Sequence, residues 1–208
     1  MRRTTLSQRR WMVLGILALA SGAALLVHVF MHISLALALL VTVIVVTIIG
    51  VLIWRGLPAT THIEMKKRAL VGLLTGPLAT GVYDLFRWVV VTVFHYTFWP
   101  FDIFFVFGRA MAGDSLPRGT EIFLGVIYHY INGIFFAIAY AILLAPSGWW
   151  TGILWALGLE ALMLSIYPGW LHIQAFDEFL SVSMLGHVAY GLVLGNVSRW
   201  LLFRLKQR

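Results

Sequence analysis

Against an almost wholly apolar background, the residues able to do chemistry are few: Asp84, His129, Glu160 and His187, with Arg87, Asn132 and Tyr190 close by in the chain. Histidines and carboxylates at one depth of a helical bundle suit three kinds of chemistry. His129 and His187 could be the axial ligands of a haem b, or could join Glu160 around a transition metal ion. The same groups could relay protons or bind a solute. They could also form a structural polar core in a binding or accessory subunit of a larger membrane complex. Against a carboxylate-bridged di-iron centre, the ExxH spacing of ferritin-like bundles is absent. Asp84 has an adjacent partner, since Arg87 follows at i+3 on the same helical face. Glu160 has no basic neighbour in its own helix, so it is protonated, paired across helices or bound to a ligand.

These residues must be positioned by membrane helices. The chain has 208 residues, of which 61% are hydrophobic and 11% charged; its mean hydropathy is +0.93. Soluble domains carry about 25% charged residues, and such a composition also excludes disorder, a coiled coil and, with no cysteine, a disulfide scaffold. The net charge of +7 does not indicate nucleic acid, because the Lys and Arg residues gather at the chain ends and in one loop. That pattern is a topology signal. No nucleophile elbow, phosphate loop, zinc-protease box or paired-Asp phosphotransferase motif occurs, and no enzymatic activity is readable.

Six apolar stretches match the roughly 20 residues needed to cross a bilayer. They run near Trp11–Val29, Ser34–Trp54, Ala69–Phe94, Thr120–Leu144, Trp149–Tyr167 and Phe179–Leu202. The first is too long for a signal-peptide core and is followed at once by a second span, so it is expected to stay as a membrane helix. An aromatic segment, Tyr96–Ala112, separates the third and fourth spans and is expected to lie at the interface or dip in as a short re-entrant helix. Two units follow: residues 1–62, an N-terminal hairpin and linker, and residues 63–208, a four-span bundle with the aromatic segment near 96–117. The hairpin's titratable groups, His28 and His32, are expected to face water, because the further histidine clusters of membrane desaturases are missing.

Basic clusters at Arg2, Arg3, Arg9 and Arg10, at Arg55, Lys66, Lys67 and Arg68, and at Arg199, Arg204, Lys206 and Arg208 predict that both termini are cytoplasmic. Arg109 and Arg118 are the misfits. The last four spans also read as a duplication. Thr75-Gly76, Thr80 and Asp84 in the third span match Thr151-Gly152, Ala156 and Glu160 in the fifth, and HxxxG recurs at His129–Gly133 and His187–Gly191. A pseudo-two-fold axis along the membrane normal is therefore expected. The acids and histidines then fall roughly 10 to 15 Å below the outer surface at 1.5 Å per residue. A lipid-facing charge at such depth costs about 2.5 to 3.5 kcal/mol, so all four should face the bundle interior.

The stretches GLLTGPLATGVYDLFR, HYINGIFFAIAYAIL, YPGW and GHVAYGLVLG resemble a family of small bacterial inner-membrane proteins of unknown function, loosely YagU-like, over about Met65 to Trp200. The resemblance implies four spans with a histidine and small-residue pattern on the second and fourth, in the bacterial inner membrane, and no activity. The N-terminal hairpin and the aromatic insertion after His95 depart from it. The partners expected are the lipid bilayer and other membrane-complex subunits, not nucleic acid.

Overall fold

A computed structural model describes residues 5–207; Arg2, Arg3 and Arg208 of the basic clusters lie outside the described residues. The described chain is all-helical, without strands. Its helices are α1 Thr5–Leu17, α2 Ala20–Met31, α3 Leu35–Arg55, α4 Ala59–Phe94, α5 Asp102–Ala112, α6 Arg118–Leu143, α7 Trp149–Leu171 and α8 Phe176–Lys206. Five of them, α3, α4, α6, α7 and α8, are long and apolar enough to cross a membrane, and α1 with α2 makes a sixth only if the bent pair counts as one span.

That bend is a departure from the expected straight first span. At Ala18 and Leu19 the backbone switches to i→i−3 hydrogen bonds, to Gly15 and Ile16, at 3.3 and 2.9 Å, and the axis turns by 55°. A short tightened turn of this kind breaks a helix without proline. The two halves then pack on different parts of α6, with Gly15 against Leu143 and Gly22 against Phe136.

A second departure concerns the polar stretch Arg55–Lys67, of which only residues 56–58 are non-helical. Pro58 starts α4 by accepting from the Thr61 and His62 amides at 2.9 and 3.1 Å. The helix then runs straight through Glu64, Lys66 and Lys67, because these charged residues are good helix formers and lack only the apolarity that marks a span. Glu64 meets Arg68 at 3.0 Å one turn on. Arg68 in turn donates to the carbonyls of Ala141 and Ile142, at 3.2 Å each, and to that of Ala145. It thus satisfies acceptors that the end of α6 leaves open.

Small residues set the helix spacing in the core. α4 packs against both α6 and α8, and α7 packs against α8. A Cβ at Gly76 would strike the Ile134 backbone of α6, and one at Gly152 would strike the backbone of α8 at Gly191 and Gly195. Backbones this close need glycine at the crossing point.

The aromatic segment completes one end of the bundle. α4 ends where His95 takes a left-handed conformation, φ 52°, and the chain doubles back until the Pro100 carbonyl accepts from Arg87, seven residues inside α4. α5 then returns antiparallel to the first turns of α6, with Gly108 seated on the Glu121 carbonyl and Gly125 on that of Phe104. The return leg is pinned by Glu178 of α8, whose Oε2 accepts from the Phe98 amide at 2.7 Å and the Thr97 hydroxyl at 3.1 Å.

Candidate functional site

Each acid is bonded to the histidine on the helix it packs against. Asp84 of α4 lies 3.1 Å, through both carboxylate oxygens, from Nε2 of His129 on α6. Arg87, one turn further along α4, reaches Asp84 at 3.3 Å, donates to the Pro100 carbonyl and stacks over the Tyr83 ring at 4.6 Å. Glu160 of α7, 1% exposed, accepts the Ser183 hydroxyl of α8 at 2.8 Å and lies 2.9 Å from Nδ1 of His187. The same Nδ1 is 2.9 Å from the Ser183 carbonyl.

These partners fix which ring nitrogen donates. A backbone carbonyl can only accept, so His187 donates through Nδ1. Asp84, ion-paired to Arg87, is likewise an acceptor, so His129 donates through Nε2. Each imidazole is thereby oriented by a carboxylate.

Both histidines line a cavity of about 720 Å³, whereas neither Asp84 nor Glu160 does. The acids therefore sit behind their histidines. Thr80, Tyr83, Arg87, Asn132, Ser183 and Tyr190 add further polar groups beside them, and Thr97, Asp102 and Gln174 also reach the wall. Most of the rest is apolar: Leu25 and Leu26 of α2, Phe98 and Phe107 around the doubled-back segment, Leu162, Met163 and Ile166 of α7, and Phe179 of α8. The volume lies in the range of small-molecule sites, which combine mostly apolar walls with a few placed polar groups. Tyr190 donates to the Gly133 carbonyl at 2.8 Å, while Asn132 Oδ1 and Thr80 Oγ1 are buried without a partner.

The three expected metal ligands are not gathered. Among the described residues no group of three or more His, Cys, Asp or Glu side chains is placed to hold a metal ion. Of the two histidines Glu160 meets His187 and not His129, and the Tyr83 ring packs on both imidazoles, 5.9 Å from His129 and 4.9 Å from His187. A haem ligated by both histidines would need its macrocycle where that ring sits, so the residues present do not fit it.

Sequence reasoning missed Tyr83, Ser183 and the contribution of α2 to the cavity wall. Ser183 carried a usable signal, since it stands at i−4 from His187 and shares its helical face. Tyr83 precedes Asp84 and has none beyond its type. The α2 wall depends on the bend and on Tyr128 of α6 donating to the Ser21 carbonyl at 2.9 Å, neither of which hydropathy encodes.

Together the fold and site define a helical membrane-type bundle with two carboxylate-backed histidines on one partly open cavity. Compared with protein-family models, curated proteins and solved structures, the chain matches none.

Proposed function

We propose that this is a six-span inner-membrane protein, with both termini cytoplasmic, that binds one apolar-bodied molecule in the cavity and acts as a non-enzymatic binding or accessory subunit of a membrane complex. The observation that carries this is the cavity itself, about 720 Å³ of mostly apolar wall with a few polar groups set into it. A purely structural polar core would close on itself. Here the two histidine–carboxylate pairs instead border open space, beneath a segment held by Arg87 and Glu178.

The pseudo-two-fold arrangement belongs to the same proposal. It is supported by the repetition of acid-to-histidine bonding in α4–α6 and in α7–α8. Kinship with the small YagU-like inner-membrane proteins is also part of it, and rests on the sequence stretches over about Met65 to Trp200. Contact with further subunits is supported by α3, whose apolar side chains, among them Leu40, Ile44, Ile48 and Leu52, are exposed along its length.

Native mass spectrometry after gentle release from nanodiscs tests the binding role. The wild type is expected to retain one apolar molecule per chain. Met163→Trp, which fills the cavity, should lose it, and Val45→Trp on the exposed face of α3 should keep it. Equal retention by the wild type and Met163→Trp would remove the cavity from the account.

A further inference from the structure

The cavity has two mouths of opposite character. Around it the helices follow in the order α2, α6, α4, α8 and α7, and each successive pair packs together. The ring does not close between α7 and α2, which among the described residues share no comparable packing; near their last turns the Trp170 and His28 rings meet edge-on at 5.8 Å. The sequence accounts for the open seam, because residues 20–24, with which α2 begins, are Ala, Ser or Gly and project too little to bridge it. Ala23 of α2 and Leu162 of α7 both line the cavity and are exposed, so they mark a side mouth, flanked by Leu19, Leu26 and Leu159. Ala23 lies eight residues from the end of α2 and Leu162 nine from the end of α7. At 1.5 Å per residue that is a depth of roughly 12 to 14 Å, well inside a hydrocarbon core about 30 Å thick. The second mouth is polar and lies at the end of the bundle completed by the aromatic segment, where Thr97, Asp102 and Gln174 line the cavity and are exposed.

Resting on the binding role proposed above, we infer that the ligand is an amphiphilic membrane lipid admitted sideways through the α2–α7 seam, with its hydrocarbon chain inside the cavity and its polar head at the mouth formed by Thr97, Asp102 and Gln174. A water-borne ligand has no use for an apolar-rimmed mouth at hydrocarbon depth, and a molecule without a head leaves the polar mouth unused. A lipid already spans these two depths in the bilayer, with its head at the interface and its chain in the core. Entry at constant depth carries no polar group through hydrocarbon, where each would cost several kcal/mol.

The probe is a phosphatidylcholine with a diazirine midway along one acyl chain, mixed into phosphatidylcholine nanodiscs that hold the full chain; after irradiation the labelled residues are mapped by peptide mass spectrometry. Surrounding lipid marks exposed positions such as Ile44 of α3 in any case, so the readout is Val182 and Tyr190, which line the cavity and are 0% and 5% exposed. The wild type should label both. Ala23→Trp and, from the other rim, Leu162→Trp should lose both labels while unfolding at the wild-type temperature. Leu154→Trp, exposed on α7 and outside the cavity wall, should keep them. The same lipid with its diazirine in the headgroup should mark the half-buried Phe98 beside the polar mouth, and headgroup label at Tyr190 overturns the placement of the head. Undiminished label at Val182 and Tyr190 in both rim variants overturns entry through the seam. Absence of both labels in the wild type, with one apolar molecule per chain still retained in native mass spectrometry, overturns the lipid assignment and leaves the binding cavity standing. Absence of both labels with nothing retained overturns the binding role as well.

Discussion

At the residue scale, the two acids are predicted to respond differently to substitution, because their surroundings differ. Asp84 is the counter-charge of a buried guanidinium. Asp84→Ala leaves Arg87 with the Pro100 carbonyl and without this counter-charge, and removing one partner of a buried pair costs about 3–5 kcal/mol. Asp84→Leu combined with Arg87→Leu should cost less than the single change, since no unpaired charge is left; unfolding in a denaturing detergent measures both. Glu160 accepts from Ser183 and has no Lys or Arg partner among the described residues, so Glu160→Gln keeps an acceptor in place. It should stay within roughly 1 kcal/mol of the wild type. A collapse of the fold in Glu160→Gln would mean that the full negative charge holds His187. The types and spacing of both acids and both histidines were legible in the sequence. Their division into two separate pairs was not, because which acid meets which histidine depends on helix rotation, and one residue of rotation moves a side chain by ~100°.

At the element scale, close approach of backbones governs which glycines matter. α7 contains a matched pair: Gly152 is pressed onto α8 at Gly191 and Gly195, while Gly158 has nothing near its missing Cβ. Gly152→Ala must push the helices apart and should cost about 1–3 kcal/mol as overpacking. Gly158→Ala should be neutral or stabilise by up to about 1 kcal/mol, the helix-propensity gain. Equal effects of the two in a detergent-unfolding titration would mean that the α7–α8 spacing is softer than described. Most helices were readable from apolar length alone, which is why α3, α6 and α7 fall close to their expected bounds. α4 was not, since the polar turns from Ala59 onward extend the helix without extending the apolar run. Nor was the doubled-back path of residues 95–101, whose anchor is a backbone carbonyl, Pro100, accepting from a side chain of another element. No residue type announces that contact.

At the scale of the whole molecule, the charge distribution is read against the geometry of the bundle. Arg10 donates to the Gly56 carbonyl and Trp11 Nε1 to that of Ile142 at 2.9 Å, so the start of α1, the α3–α4 turn and the end of α6 share one end. α8 terminates there too, because Gly195 packs against Trp149 at the start of α7. Arg9, Arg55, Lys66, Lys67, Arg199, Arg204 and Lys206 therefore collect at that end, while Asp177 and Glu178 mark the other. Of the two misfits, Arg109 is neutralised by Asp114, its Nε lying 2.6 Å from Oδ1, so it adds no net positive charge to its end. Arg118 rests over the Phe105 ring at 5.0 Å and is the exception that persists. Since Lys and Arg are retained on the cytoplasmic side, the basic end should face the cytoplasm. The absence of native cysteine makes this directly testable with a membrane-impermeant thiol reagent on cells and on inverted vesicles. Lys67→Cys, at an exposed site on the basic end, should react only in inverted vesicles, and Asp177→Cys, exposed at the other end, only in intact cells. The reverse pattern would invert the orientation. Reaction of both from one side would require the odd number of crossings between them, α4, α6 and α7, to become even, and would show that one of these helices does not cross at all.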